Sequence, residues 1–161
     1  MTHEETALRY FSDRFHCSQA VLAAYTNETG LTEEQSLRIA CCFNSGMRKG
    51  EVCGACAGAL MVLGALFGQT EKNDLESRAH ANALTERFLN RFRELNGTYI
   101  CNEILGCDIS SPEGAAYAKS HGLFTTTCRD MVALAVRVLE EILKSEAESQ
   151  GLSGTPFNDK A

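Results

Sequence analysis

The residues with the clearest chemical potential in this 161-residue chain are its eight cysteines, at positions 17, 41, 42, 53, 56, 101, 107 and 128. The N-terminal sequence MTHEETALRYF has neither the basic start nor the apolar core of a signal peptide, so we expect a cytoplasmic protein. In that reducing compartment, cysteines are more naturally metal ligands or redox thiols than structural disulfides. Cys41 and Cys42 lie in the apolar stretch LRIACCF, where we expect them to be small buried side chains.

Three of the cysteines lie in the predicted first turns of helices. Cys53 follows a glycine-containing loop, Cys101 lies three residues after the expected N-cap Thr98, and Cys128 directly follows the expected N-cap Thr127. Unpaired N–H groups and the positive end of the helix dipole lower the pKa of a thiol there. Such positions therefore favour a thiolate or an anionic cofactor.

Two other local signals are weaker. Cys17 would also start a helix if the chain breaks near His16, although no glycine or proline enforces a break there. Cys53 and Cys56 form a C-x-x-C pair, the spacing of thiol redox motifs and of half of many zinc sites. This pair does not follow a predicted strand, and no second C-x-x-C completes a zinc ribbon.

The elements that must position these thiols are helices. Apolar residues recur at helical spacing, and capping patterns separate the segments, so we predict an all-α, single-domain bundle of about six to eight helices over residues 1–145. The polar residues 146–161 should form a flexible tail. The Gly- and Ala-rich stretch 52–68 predicts a buried central helix, in which Gly54 and Gly58 permit close helix approach and leave room for a bulky cofactor.

Composition limits the partners. The formal net charge of −6 gives no basic face for nucleic acid, and the apolar stretch is a poor membrane span because Gly and Ala are so frequent in it. We expect no nucleic acid partner and no membrane span. The glycine-rich helix could serve a homodimer interface.

The motif CGACAG at 53–58, followed by ALMVLG, resembles the C_GCAxxG_C_C family of redox-active proteins. The similarity runs from FHCSQAVLAAY through GEVCGACAGALMVLGALFG to CNEILGC and CRDMVALAVRVLEE. Carried over residue by residue, the resemblance implies that the family's four cysteines are Cys17, Cys53, Cys101 and Cys128, and that they converge on one redox site. The loop NSGMRKG before the motif is more basic than the family pattern.

Three functions are compatible with four convergent cysteines. The preferred hypothesis is an iron–sulfur cluster bound by Cys17, Cys53, Cys101 and Cys128 and bordered by Gly54 and Gly58, in an electron carrier that serves a redox partner protein. The alternative is a thiol–disulfide oxidoreductase or redox sensor, in which Cys53 attacks and Cys56 resolves. The second alternative is a structural zinc site with four thiolates.

Overall fold

The computed structural model describes residues 1–151, and within them the chain forms nine α-helices. These are α1 (His3–Ser12), α2 (Cys17–Ala23), α3 (Thr26–Thr29), α4 (Glu33–Ala40), α5 (Gly54–Phe67), α6 (Leu75–Asn96), α7 (Cys101–Leu105), α8 (Pro112–Ser120) and α9 (Thr127–Ser149). A 3-10 turn at Cys41–Phe43 and an irregular loop at Gly46–Gly50 separate α4 from α5. The predicted all-α bundle is confirmed, and the described residues form nine helices instead of six to eight because the chain breaks between α2 and the four-residue α3.

Local sequence explains several helix boundaries. The hydroxyl of Thr32 accepts the Gln35 N–H at 3.1 Å, and the Gln35 side chain accepts the Thr32 N–H at 2.9 Å. The T-x-x-Q pattern of residues 32–35 is the sequence signature of this reciprocal capping box, which starts α4. Ser111 caps α8 with Pro112 at its first position. These bonds satisfy N–H groups that a helix start otherwise leaves unpaired.

The core lies around α5, which packs against α2, α6 and α9. Ala55, Ala59 and Val62 of α5 are fully buried, which confirms the predicted central helix, whereas Gly64 and Ala65 near its end are exposed. The long helices α6 and α9 contribute several of the large buried side chains, among them Phe88, Phe92, Val136, Leu139 and Ile142. Each such side chain contributes roughly 1.5–3 kcal/mol by leaving water. The packing of α2, α6 and α9 around α5 therefore holds the N-terminal end of α5 in place.

Two predicted helix starts differ from the structure. Helix α7 begins at Cys101 with Ile100 as N-cap, while the Thr98 hydroxyl accepts the Ile100 N–H at 3.0 Å instead. Helix α9 has Thr126 at the N-cap, whose hydroxyl donates to the Gly122 carbonyl at 3.0 Å and caps no helix N–H, so the expected cap at Thr127 does not form. In both cases, contacts with residues outside the helix determine where the helix begins, and the predicted N-cap side chain does not.

The C-terminal boundary also differs. Helix α9 continues to Ser149, because Glu146 and Ala147 still pack against the bundle and are buried. Residues 146–149, predicted to belong to a flexible tail, are therefore helical. The rest of that predicted tail, from 152 to 161, lies outside the described residues. No helix within residues 1–151 is long and apolar enough to cross a membrane.

Candidate functional site

Four cysteines lie at the beginnings of four helices. Cys17 and Cys101 are the first residues of α2 and α7, Cys53 is the N-cap of α5, and Cys128 is the second residue of α9. The break that places Cys17 in this class occurs at Arg14, whose φ of 69° is in the left-handed region and ends α1. All four thiols are therefore close to helix N-termini.

A short backbone pairing places two of these helix starts side by side. The Cys53 N–H donates to the Tyr99 carbonyl at 2.8 Å, and the Cys101 N–H donates to the Glu51 carbonyl at 2.6 Å. Between these bonds, Val52 and Ile100 form an isolated antiparallel bridge. Two thiols that are distant in the sequence are thereby held next to each other.

Gly54 brings Cys17 to the same place. A Cβ atom on Gly54 would lie 2.5 Å from the Cys17 Sγ, so only glycine allows this approach between α2 and α5. One turn later, a Cβ on Gly58 would lie 2.6 Å from the Ser18 carbonyl oxygen and 3.0 Å from the Val21 Cβ. The space at Gly58 is thus filled by α2. Gly54 borders the thiols, whereas Gly58 serves the contact between the two helices.

The four helix starts enclose one small cavity of about 30 Å³. We call Cys17, Cys53, Cys101 and Cys128 around this cavity the four-thiol site. Cys53 and Cys101 are each only 6 % exposed, and Cys17 and Cys128 are partly buried. The cavity is also lined by Ser45, Gly54, Leu105, Phe124 and Met131. Sequence patterns did not single out Phe124 or Met131, because an apolar wall residue has no signature that separates it from the core.

The electrostatics of the site favour a single thiolate. The S–H of Cys56 and the backbone N–H groups of Ala55 and Cys56 donate to Cys53 and lower its pKa, although Cys53 is buried. Burial, followed by the charge of Cys53, raises the pKa of Cys17 and of Cys101 to about 12. Burial also raises the pKa of Cys128, so the lowered pKa expected for Cys101 and Cys128 from their first-turn positions is wrong. Without a compensating positive charge, three of the four thiols are therefore neutral.

The remaining cysteines lie elsewhere or play a supporting part. Cys56 is fully buried behind Cys53, and Cys107 is partly buried near Cys101. Cys41 and Cys42 are exposed, so their predicted role as small buried side chains is wrong. That prediction relied on the apolar character of LRIACCF, but the chain tightens into a 3-10 turn directly after the buried Ala40, and residues 41–43 are all exposed.

The described thiols do not form a closed site for one ion. Zn–S bonds of about 2.3 Å require four sulfurs within about 4 Å of one another. Within residues 1–151, no group of three or more His, Cys, Asp or Glu residues is arranged to hold a single metal ion. The sulfurs instead surround a cavity.

The sequence was compared with known proteins in three ways. A family model described as "Putative redox-active protein (C_GCAxxG_C_C)" matches residues 15–142, a range that contains the whole four-thiol site. No curated protein and no solved structure matches the chain.

Proposed function

The chain belongs to the C_GCAxxG_C_C family of redox-active proteins, and from this premise we propose that its four-thiol site binds an iron–sulfur cluster for electron transfer. The observation that carries the proposal is the single cavity lined by Cys17, Cys53, Cys101 and Cys128. Four thiolates are the common ligand set of [2Fe–2S] and [4Fe–4S] clusters.

The protonation of the thiols supports a cationic occupant. Cys17, Cys101 and Cys128 have raised pKa values because burial disfavours an unpaired negative charge. These cysteines would hold a bound iron–sulfur group as thiolates, because iron would supply the opposing positive charge. The four helix N-termini around the site favour the remaining negative charge of a thiolate-bound cluster. The donor set thus fits a multi-iron group better than it fits separate, buried thiolates.

The position of the site suits an electron carrier. Cys53 and Cys101 are on the buried side, whereas Cys17 and Cys128 also line a second, larger cavity. An electron could therefore reach the site from that side without the protein unfolding. The natural acceptor or donor is a redox partner protein, and the eight cysteines favour a reducing compartment such as the cytoplasm.

One observation favours a second candidate, thiol–disulfide exchange. Cys53 has a lowered pKa and receives the S–H of Cys56, the arrangement of a nucleophile beside a resolving thiol. The Cys53 thiolate would attack a substrate disulfide, form a mixed disulfide with one substrate sulfur and release the other as a thiolate. Cys56 would then attack the Cys53 sulfur, release the remaining substrate thiolate and form a Cys53–Cys56 disulfide. Against this candidate, Cys53 is only 6 % exposed, and an attacking thiol needs access.

The test is an anaerobic purification, followed by a visible spectrum and the quantification of iron, acid-labile sulfide and zinc. Iron with matching sulfide and visible absorption supports the cluster. A colourless, metal-free protein that forms a Cys53–Cys56 disulfide on oxidation would instead support thiol–disulfide exchange. Zinc without iron would overturn both.

A further inference from the structure

A larger cavity of about 590 Å³ lies beside the four-thiol site. It is formed by the turn between α1 and α2, by the loop that carries Arg48, and by the start of α9. Its volume falls within the roughly 300–1,000 Å³ of typical small-molecule sites. Cys17 and Cys128 line both cavities, so a molecule in the larger one would lie against two of the four thiols.

Three arginines give this cavity a positive charge. Arg14, Arg48 and Arg129 come from three separate segments, and no aspartate or glutamate is part of its wall. Among the described residues, none of the three arginines forms an ion pair. The three unpaired arginines make the cavity locally positive, although the chain as a whole has a net charge of −6.

One carboxylate that interacts with an arginine of the cavity already has another partner. Arg129 interacts with Glu4 through space, but the Glu4 carboxylate accepts two hydrogen bonds from Arg137, at 2.9 and 2.6 Å. His16, also in the wall, has a pKa lowered by burial and by Arg48, so it adds little charge near neutral pH. The positive charge of the cavity thus comes from the arginines.

Two of these arginines are held in a costly backbone conformation. Arg14 has a φ of 69° and Arg48 a φ of 62°, in the left-handed region that glycine adopts most easily. Each non-glycine residue there costs roughly 1–2 kcal/mol. Strain of this kind concentrates where a side chain serves a site. Both residues line the same cavity.

The wall also has an apolar part. Phe11, Phe15 and Phe124 line the cavity together with the arginines. Guanidinium groups bind carboxylate, sulfonate and phosphate oxygens in a planar, paired geometry, while aromatic rings pack against apolar surface. An inorganic anion alone would leave these rings without a contact.

We propose that this cavity binds a small organic anion, whose acidic group pairs with Arg14, Arg48 and Arg129 and whose apolar part packs against Phe15 and Phe124. The ligand lies next to Cys17 and Cys128. The proposal goes beyond the redox function, because anion binding depends on the arginines and not on the identity of the group that the thiols hold.

The test is isothermal titration calorimetry of the full chain with three probes: 2-naphthalenesulfonate, its neutral counterpart 2-naphthalenemethanol, and inorganic sulfate. We expect saturable binding of the sulfonate and much weaker binding of the other two. Arg48→Gln and Arg129→Gln should each weaken sulfonate binding about tenfold, the effect of losing one charge-assisted contact. Arg78→Gln, which removes an exposed arginine on α6, should leave binding unchanged.

Several results would overturn the proposal. They are equal binding of the neutral probe, equal affinity in the Arg48→Gln, Arg129→Gln and Arg78→Gln proteins, and no saturable binding of the sulfonate. Preferential binding of sulfate would show an inorganic anion site and would also contradict it. Because the substituted arginines are exposed, circular dichroism should show all variants folded. Iron content is measured on the same samples, so failure of the cluster proposal is detected separately.

Discussion

The Cys17 Sγ lies 2.5 Å from the position that a Cβ atom on Gly54 would occupy, and the Phe43 carbonyl oxygen lies 2.9 Å from it. The start of α5 therefore has no room for a methyl group. A backbone oxygen on one side and a site thiol on the other leave little freedom to relax. The residue after Cys53 consequently controls where Cys17 can lie.

Gly54→Ala should lower the free energy of unfolding by about 1–3 kcal/mol and reduce bound iron, since the added methyl must displace Cys17. Gly64→Ala is the matched control on the same helix. Nothing lies within 4 Å of a Cβ at Gly64, so this change should stabilise the protein by about 0.5–1 kcal/mol. Urea unfolding and iron analysis measure both effects. A Gly54→Ala protein with wild-type stability and iron content would contradict the close approach.

Replacement of site thiols should bleach the protein. In Cys53→Ser and Cys101→Ser we expect most of the visible absorption and iron to be lost, because each variant removes one of four ligands. Cys42→Ser should retain nearly all of both, since Cys42 is exposed and outside the cavity. Iron per chain and the visible spectrum are the measurements. An equal loss in all three variants would indicate an effect on folding and count against the four-thiol site.

The hydrogen bond from Cys56 should be measurable as a pKa change at Cys53. In metal-free protein, Cys56→Ala should raise the pKa of Cys53, because the hydrogen bond from the Cys56 S–H is the largest cause of the lowered Cys53 pKa. Cys56→Ser keeps a donor and should raise it less. The ultraviolet absorbance of the thiolate, followed against pH, gives the value, with Cys42→Ala as control. An unchanged titration in Cys56→Ala would show that the backbone N–H groups alone stabilise the thiolate.

The stability of the protein should fall at alkaline pH because of His3. Its ring bonds to Glu140 at 2.7 Å and to Glu28 at 2.9 Å, and these bonds raise its pKa from 6.5 to about 9. A raised folded-state pKa stabilises the fold fully below pH 6.5, and this contribution is lost as the pH rises through 9. After allowance for solvent screening, we expect a loss of about 1–2 kcal/mol.

Urea unfolding across this pH range tests the effect. His3→Gln should remove most of the pH dependence between pH 6.5 and about 8. Above that range the thiols Cys17, Cys101 and Cys128 also lower the stability, because their pKa values are raised while unfolded thiols ionise near a pKa of about 8.5. His121→Gln is the control, because His121 contacts Tyr117 and Ser120 and no carboxylate among the described residues. A loss of stability below about pH 8 that survives in His3→Gln would assign the effect to another group.

Local sequence patterns predicted the helical class, the capping of α4 and α8, and the glycine-rich central helix. Those features depend on contacts between residues a few positions apart, which leave a readable period or cap. Cys53 and Cys128 could be placed near helix starts for the same reason. The match of residues 15–142 to the family model agrees with the motif that carried the resemblance.

How the thiols meet depends on contacts between separate segments. The break at Arg14 and the pairing of Cys53 with Tyr99 have no local signature, whereas the close helix approach at Gly58 was predicted from its type. The exposure of Cys41 and the cationic cavity likewise depend on how separate segments are arranged. The physical reason is that convergence is set by which helix faces pack together. Packing is a sum over long-range contacts that no single stretch of sequence contains.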